Sequence, residues 1–256
     1  NFLFDLLFSD SQKLVDFPMK EKENIQDKKV RDIDRERALA ERVEQAAIGA
    51  PVARGAGVVD VGHPEAGLHA VTFDANVITV VGTGGLWLEK NRATGVWRSL
   101  PHGFGPINLQ ALAIRKDTLG RSLETVAVGN NCTIISHVGN AFTRVPVANC
   151  TEGLNAATFT ASGALYVAGD SGLMMQRTVT GFALEYPNVG FVSFSGLAAD
   201  GETVYAVLRD GSVQRKAASW GPLAQRISDS ALYGVTVDSD EGAFMVGAQG
   251  TVWRSP

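Results

Sequence analysis

The sequence predicts an all-β protein, a five-bladed β-propeller, and three observations carry that prediction. First, a short phrase recurs five times: two apolar residues, a small one, two or three turn formers, then a second apolar run. Its copies lie at 80–87, 127–134, 167–174, 206–213 and 245–252. Second, with Gly82, Gly129, Gly169, Leu208 and Gly247 taken as equivalent, the copies are spaced 47, 40, 39 and 39 residues apart. A period near 40 fits one four-stranded blade. Third, 28 glycines with 45% hydrophobic and 20% charged residues suit a turn-rich β protein that can bury a full core.

The first residues differ from the rest, and the chain divides into an N-terminal arm, 1–54, and the propeller, 55–256. Phe2, Phe4, Leu6, Leu7 and Phe8 form an apolar start. Mixed charges dominate 20–44, and Ile33, Leu39, Val43 and Ile48 give a weak stripe at helical spacing. That stripe predicts a helix over about 32–48, ended by Gly49 and Pro51. Such a helix buries too little to fold alone. The arm is therefore expected to dock on a partner through Phe2, Phe4, Leu6, Leu7 and Phe8.

Each repeat then reads as a blade. A phrase with a small third residue (Ala70, Ala111, Ala156, Gly196, Gly234) marks the inner strand, where strands crowd around the axis. The recurring phrase is the hairpin between the second and third strands. An aromatic within three residues after a Gly or Ser (Trp97, Phe142, Phe182, Trp220) announces the outer strand. The longer first interval is assigned to a polar insertion at 116–122. The fifth unit lacks an outer strand, and 57–62, with Val58, Val59 and Val61, is expected to supply it and close the ring.

The phrases Val81-Gly82 with Gly85-Leu86, Ala168-Gly169 with Gly172-Leu173 and Val246-Gly247 with Gly250-Thr251-Val252 resemble the blades of BNR-type and photosystem II assembly-factor-like propellers. The resemblance covers about 57–256 and implies a scaffold or assembly protein. The sialidase-type Asp-box is absent from every unit, so it implies no residue-level site.

Chemistry is sparse. His63, His69, His102 and His137 show no metal-ligand spacing, Gly82-Thr83-Gly84-Gly85 lacks the Lys of a phosphate loop, and no nucleophile elbow occurs. The expectation is therefore a chain without catalytic residues, metal or cofactor, and not an enzyme. A net charge of −4 gives no reason to expect nucleic acid. Cys132 and Cys150, 18 residues apart, read either as a disulfide across a hairpin or as two separate buried thiols. The disulfide would place the protein in a periplasmic or other extracytoplasmic compartment. The chain starts at Asn1 rather than Met, which leaves room for a signal peptide or anchor upstream. Any membrane contact is then indirect, or made through residues outside this sequence.

The function these observations favour is an interaction or scaffold subunit of a larger, membrane-associated complex. It would dock through the arm and one propeller face, where Phe104, Tyr186, Phe191 and Tyr233 stand among polar loop residues. The alternative is a carbohydrate-binding propeller with one pocket per blade. That reading requires similar loop residues in every blade, and the loops differ.

Overall fold

The computed structural model describes residues 67–255, apart from 225–229, 239 and 241. All fall within the unit Arg54–Pro256. The arm, its expected helix at 32–48 and the expected closing strand at 57–62 lie outside the described residues.

Among the described residues, nineteen strands form five antiparallel sheets, one per blade. Blade 1 is β1 (Leu68–Phe73), β2 (Val77–Gly82), β3 (Trp87–Asn91) and β4 (Trp97–Ser99). Blade 2 is β5 (Leu109–Lys116), β6 (Ser122–Gly129), β7 (Thr133–Val138) and β8 (Ala141–Arg144). Blade 3 is β9 (Leu154–Phe159), β10 (Leu165–Gly169), β11 (Met174–Thr178) and β12 (Gly181–Leu184). Blade 4 is β13 (Phe194–Asp200), β14 (Thr203–Leu208), β15 (Val213–Lys216) and β16 (Trp220–Ala224). Blade 5 has three described strands, β17 (Leu232–Asp238), β18 (Gly242–Gly247) and β19 (Val252–Arg254). Inner strands pack in succession, β1 on β5, β5 on β9, β9 on β13 and β13 on β17. The architecture is a five-bladed β-propeller.

The second strand of each blade shows why the sequence runs apolar there without alternation. Val126 and Val128 of β6 enter a core shared with Leu154, Leu165 and Val167 of blade 3. Ala127, between them, enters the core of Val81, Trp87 and Leu109 shared with blade 1. In β10, Leu165 and Val167 face blade 2, while Tyr166 and Ala168 join Phe194 and Ala206 of blade 4. Successive side chains of a strand point to opposite faces, so a sheet buried on both must be apolar at every position. Each fully buried Val or Leu adds about 1.5–3 kcal/mol over leaving it in water.

The recurring glycine has a steric cause. A Cβ on Gly82, Gly129 or Gly169 would lie 2.0 Å from the carbonyl oxygen of Gly67, Asn108 or Gly153; on Gly247 it would lie 2.4 Å from that of Ala231. The close approach lets the next residue bond the segment leading into the inner strand. Thr83, Asn130, Asp170 and Ala248 donate their N–H to those same four carbonyls at 2.9–3.1 Å, and Arg209 donates to Ser193 at 3.1 Å. The hairpin is thereby fastened to its own inner strand in all five blades.

The polar stretch at 116–122 is more ordered than an insertion. It extends the β5–β6 hairpin: Lys116 ends β5 and Ser122 begins β6. Asp117 closes the turn between them by accepting from the Leu119 and Arg121 N–H groups, each at 2.9 Å.

Candidate functional site

Because each hairpin is tied to the residue just before its inner strand, the five hairpins and the starts of the five inner strands collect on one face. The polar second residue of the inner strand emerges there too. In β1, β5, β9, β13 and β17 the register shifts at this residue: His69, Gln110, Asn155, Ser195 and Tyr233. A bulge re-aims the side chain it carries. His69 donates Nδ1–H to the Leu109 carbonyl at 3.0 Å. Asn155 Nδ2 donates to the Phe194 carbonyl at 3.2 Å, and Ser195 Oγ donates to the Leu232 carbonyl at 2.5 Å. Each of the three bonds ties one blade to the next at the axis. The carbonyl can only accept, so Nδ1 of His69 carries the proton. Asn155 also donates to Asp170 Oδ1 at 2.8 Å, and Gln110 reaches Asn130 Oδ1 at 3.5 Å. The mouth of the ring is polar and internally bonded.

The lead-in loop 185–193 of blade 4 is different. Val189 and Val192 pack against the core around Phe194 and Leu208, and Pro187 is buried. Glu185 at its start bonds Lys216 Nζ at 2.6 Å and Trp220 Nε1 at 2.8 Å. From this rooted loop Tyr186 and Phe191 stand 79% and 92% exposed. Tyr233, at the mouth, is 61% exposed. Phe104 sits otherwise: it stacks on His102, centroids 5.5 Å apart, and packs against the core of Trp87 and Leu109. The structure thus places Tyr186, Phe191 and Tyr233 on the solvent side of the hairpin face and turns Phe104 inward. Phe2, Phe4, Leu6, Leu7 and Phe8 lie outside the described residues. Cys132, in the β6–β7 hairpin, and Cys150, in the loop leading to β9, meet as a disulfide with Cα atoms 5.7 Å apart.

Buried charges brace the walls between blades, which the sequence reading did not foresee. Glu124 of β6 accepts both guanidinium nitrogens of Arg177 from blade 3, at 2.6 and 2.9 Å, and the Ser136 hydroxyl at 2.7 Å. Arg115 lies 3.6 Å away. Burial pushes the Glu124 carboxyl up, but the Arg177 and Ser136 hydrogen bonds outweigh it and leave the group below its ordinary value. Burial holds His102 below its ordinary value against a backbone contact at Gly85. Burial also lowers His137, with Glu89 at 3.6 Å opposing. The available signal was Glu124 itself, one carboxylate heading a run that is otherwise Thr-Val-Ala-Val.

No family model matches the chain, and no curated protein does. Solved structures do match. Catalytically inactive H270A virginiamycin B lyase from Staphylococcus aureus, with quinupristin, is 12% identical over 74% of this chain and 66% of its own, with a TM-score of 0.64. YCF48 bound to D1 peptide is 12% identical over 73% and 64%, TM-score 0.55. The RRP9 WD40 repeats are 13% identical over 72% and 60%, TM-score 0.54. The chain spans about two thirds or less of the length of these three. At such identities the likeness shows the fold alone.

Two sequence expectations change accordingly. The resemblance to BNR-type and assembly-factor-like repeats holds at the level of the propeller, while no family model supports the narrower assignment. The expectation that the chain is not an enzyme is corrected: a lyase stands among its structural neighbours. The absence of a familiar motif was a poor ground for that exclusion, because a catalytic constellation is recognised by its geometry and not by sequence position.

Proposed function

We propose that this protein is an interaction propeller that binds a polypeptide partner on its hairpin face, with Tyr186, Phe191 and Tyr233 as the anchors. The observation that carries the reading is the 185–193 loop. Its base is fixed by Val189, Val192 and Glu185, and it holds two aromatic rings in water. Aromatic side chains on a preformed support lose little further entropy on binding and dominate interface energetics. The WD40 repeats and the peptide-bound propeller among the structural neighbours support the same kind of role. The N-terminal arm is part of the proposal as a second contact with the partner. So are membership of a larger complex and an extracytoplasmic location, the latter supported by the Cys132–Cys150 pairing.

A photo-crosslinking residue at position 191 identifies the partner, whose affinity is then measured against purified wild type and Tyr186→Ala/Phe191→Ala. The double variant is expected to bind about 100-fold more weakly with an unchanged melting temperature. Equal affinity overturns the face. Deletion of 1–50 is expected to leave a folded ring with weaker association, and retained affinity removes the arm from the proposal.

A further inference from the structure

Glycine follows the turn's middle residue in four of the five hairpins: Gly85, Gly172, Gly211 and Gly250, with φ of 78°, 73°, 85° and 71°. In blade 2 that place belongs to Cys132, at φ 46°, next to Asn131 at 54°. A side chain in this left-handed region costs roughly 1–2 kcal/mol that glycine avoids. The cost is offset by what Cys132 meets. Its sulfur lies against Cys150, and donor atoms of Cys132, Cys150 and Glu152 all fall within 4.8 Å of one another.

Glu152 is the unexplained member. Its Oε2 accepts the Thr151 N–H at 2.9 Å and lies 3.4 Å from Cys150 Sγ. No cation pairs with it among the described residues. A disulfide sulfur has no proton to give that carboxylate. The backbone holds Cys132 against Glu152, since the Cys132 N–H donates to the Glu152 carbonyl at 2.7 Å. Cys132 is also buried, only 5% exposed.

We propose that the reduced pair, together with Glu152, is a binding site for a thiophilic divalent cation of the zinc class. A dithiol or phosphine reductant supplies two electrons, the S–S bond breaks, and each sulfur takes up a proton. Metal binding returns both thiol protons to solvent, so two thiolates and one carboxylate face the ion. In a tetrahedral site with metal–sulfur bonds of about 2.3 Å, two sulfurs stand roughly 3.8 Å apart. The two sulfurs, bonded in the disulfide, move apart to that separation after reduction. Soft thiolates select such ions over magnesium or calcium. The fourth position is left to water or to a partner's side chain. The site thus joins hairpin to lead-in loop in either redox state, covalently when oxidised and through the metal when reduced. It stands independently of the aromatic face.

The test uses the full chain, reduced with a phosphine and desalted without oxygen, and cobalt(II) as probe. One equivalent is expected to give thiolate-to-cobalt charge-transfer absorption, which zinc(II) displaces and which the oxidised chain does not show. Glu152→Gln, which leaves both cysteines in place, is expected to weaken binding at least about tenfold, since even an outer-shell loss costs that much. Cys132→Ser/Cys150→Ser, confirmed folded by circular dichroism, loses the absorption. No charge-transfer band in the reduced chain, or unchanged affinity in Glu152→Gln, overturns the site.

Discussion

Blades 3 and 5 are written in nearly the same phrase and differ in how they are sealed. Blade 3 is buried on both walls: Leu165 and Val167 on one side, Ala168 and Met174 on the other, are fully shielded from water. Its bulge residue Asn155 is bonded across to blade 4. Among the described residues, blade 5 is sealed toward blade 4 by Ala243 and Met245. On its other wall Val246 and Val252 are 36% and 67% exposed, and at its bulge Tyr233 is 61% exposed. Repetition therefore specifies the strands and the hairpin, whereas stability is a property of the wall between two blades.

Mutations can break that contrast. The largest effect is expected from Phe194→Ala, which empties a fully buried site between blades 3 and 4 and costs about 3–5 kcal/mol in chemical denaturation. Val252→Ala in blade 5 should stay within about 0.5 kcal/mol. Equal losses would mean that blade 5 is as well sealed as blade 3.

Next is Arg177→Ala, which strips a buried carboxylate of its two-pronged partner. Loss of a buried partner costs about 3–5 kcal/mol, and the low end is expected because Arg115 remains nearby. Glu124 has a depressed value in the fold, so its contribution is complete above the ordinary carboxylate value of 4.5 and is lost as pH falls through the depressed one. The acid limb of the wild-type stability curve should be steeper than that of the variant. His102 acts at higher pH. Its lowered value means that the unfolded chain binds more protons, so stability falls as pH drops below about 6.5. His102→Gln should flatten that part of the curve.

The smallest effect sharpens the comparison at the axis. Ser195→Ala removes the bond to Leu232 and should cost about 1 kcal/mol. Tyr233→Ala should cost less, because among the described residues no hydrogen bond ties that side chain to a neighbouring blade. Urea titrations of the two variants decide it.

The parts of the fold legible in sequence were those set by local chemistry. Where a Cβ would meet a carbonyl oxygen at 2.0 Å only glycine fits, so Gly82, Gly129 and Gly169 recur and betray the period, although Leu208 holds the equivalent place in blade 4. Outer strands were legible because Trp97, Phe142, Phe182 and Trp220 each fall inside one. The site was less legible because its geometry is made between blades. Nothing near His69 in sequence indicates that its ring meets Leu109, and nothing near Glu124 indicates Arg177, 53 residues on. Phe104 and Phe191 looked alike as loop aromatics, yet only one has a core within reach.

The bonds at the axis also have a direction. His69, Asn155 and Ser195 each give their proton forward, to a carbonyl of the blade that follows. A ribosome delivers the donor before its acceptor exists, so blades 1, 3 and 4 each wait with one bond unmade until the next blade arrives. Synthesis in that order completes the axis blade by blade, and a chain halted after blade 1, 3 or 4 would carry one unmade inter-blade bond there.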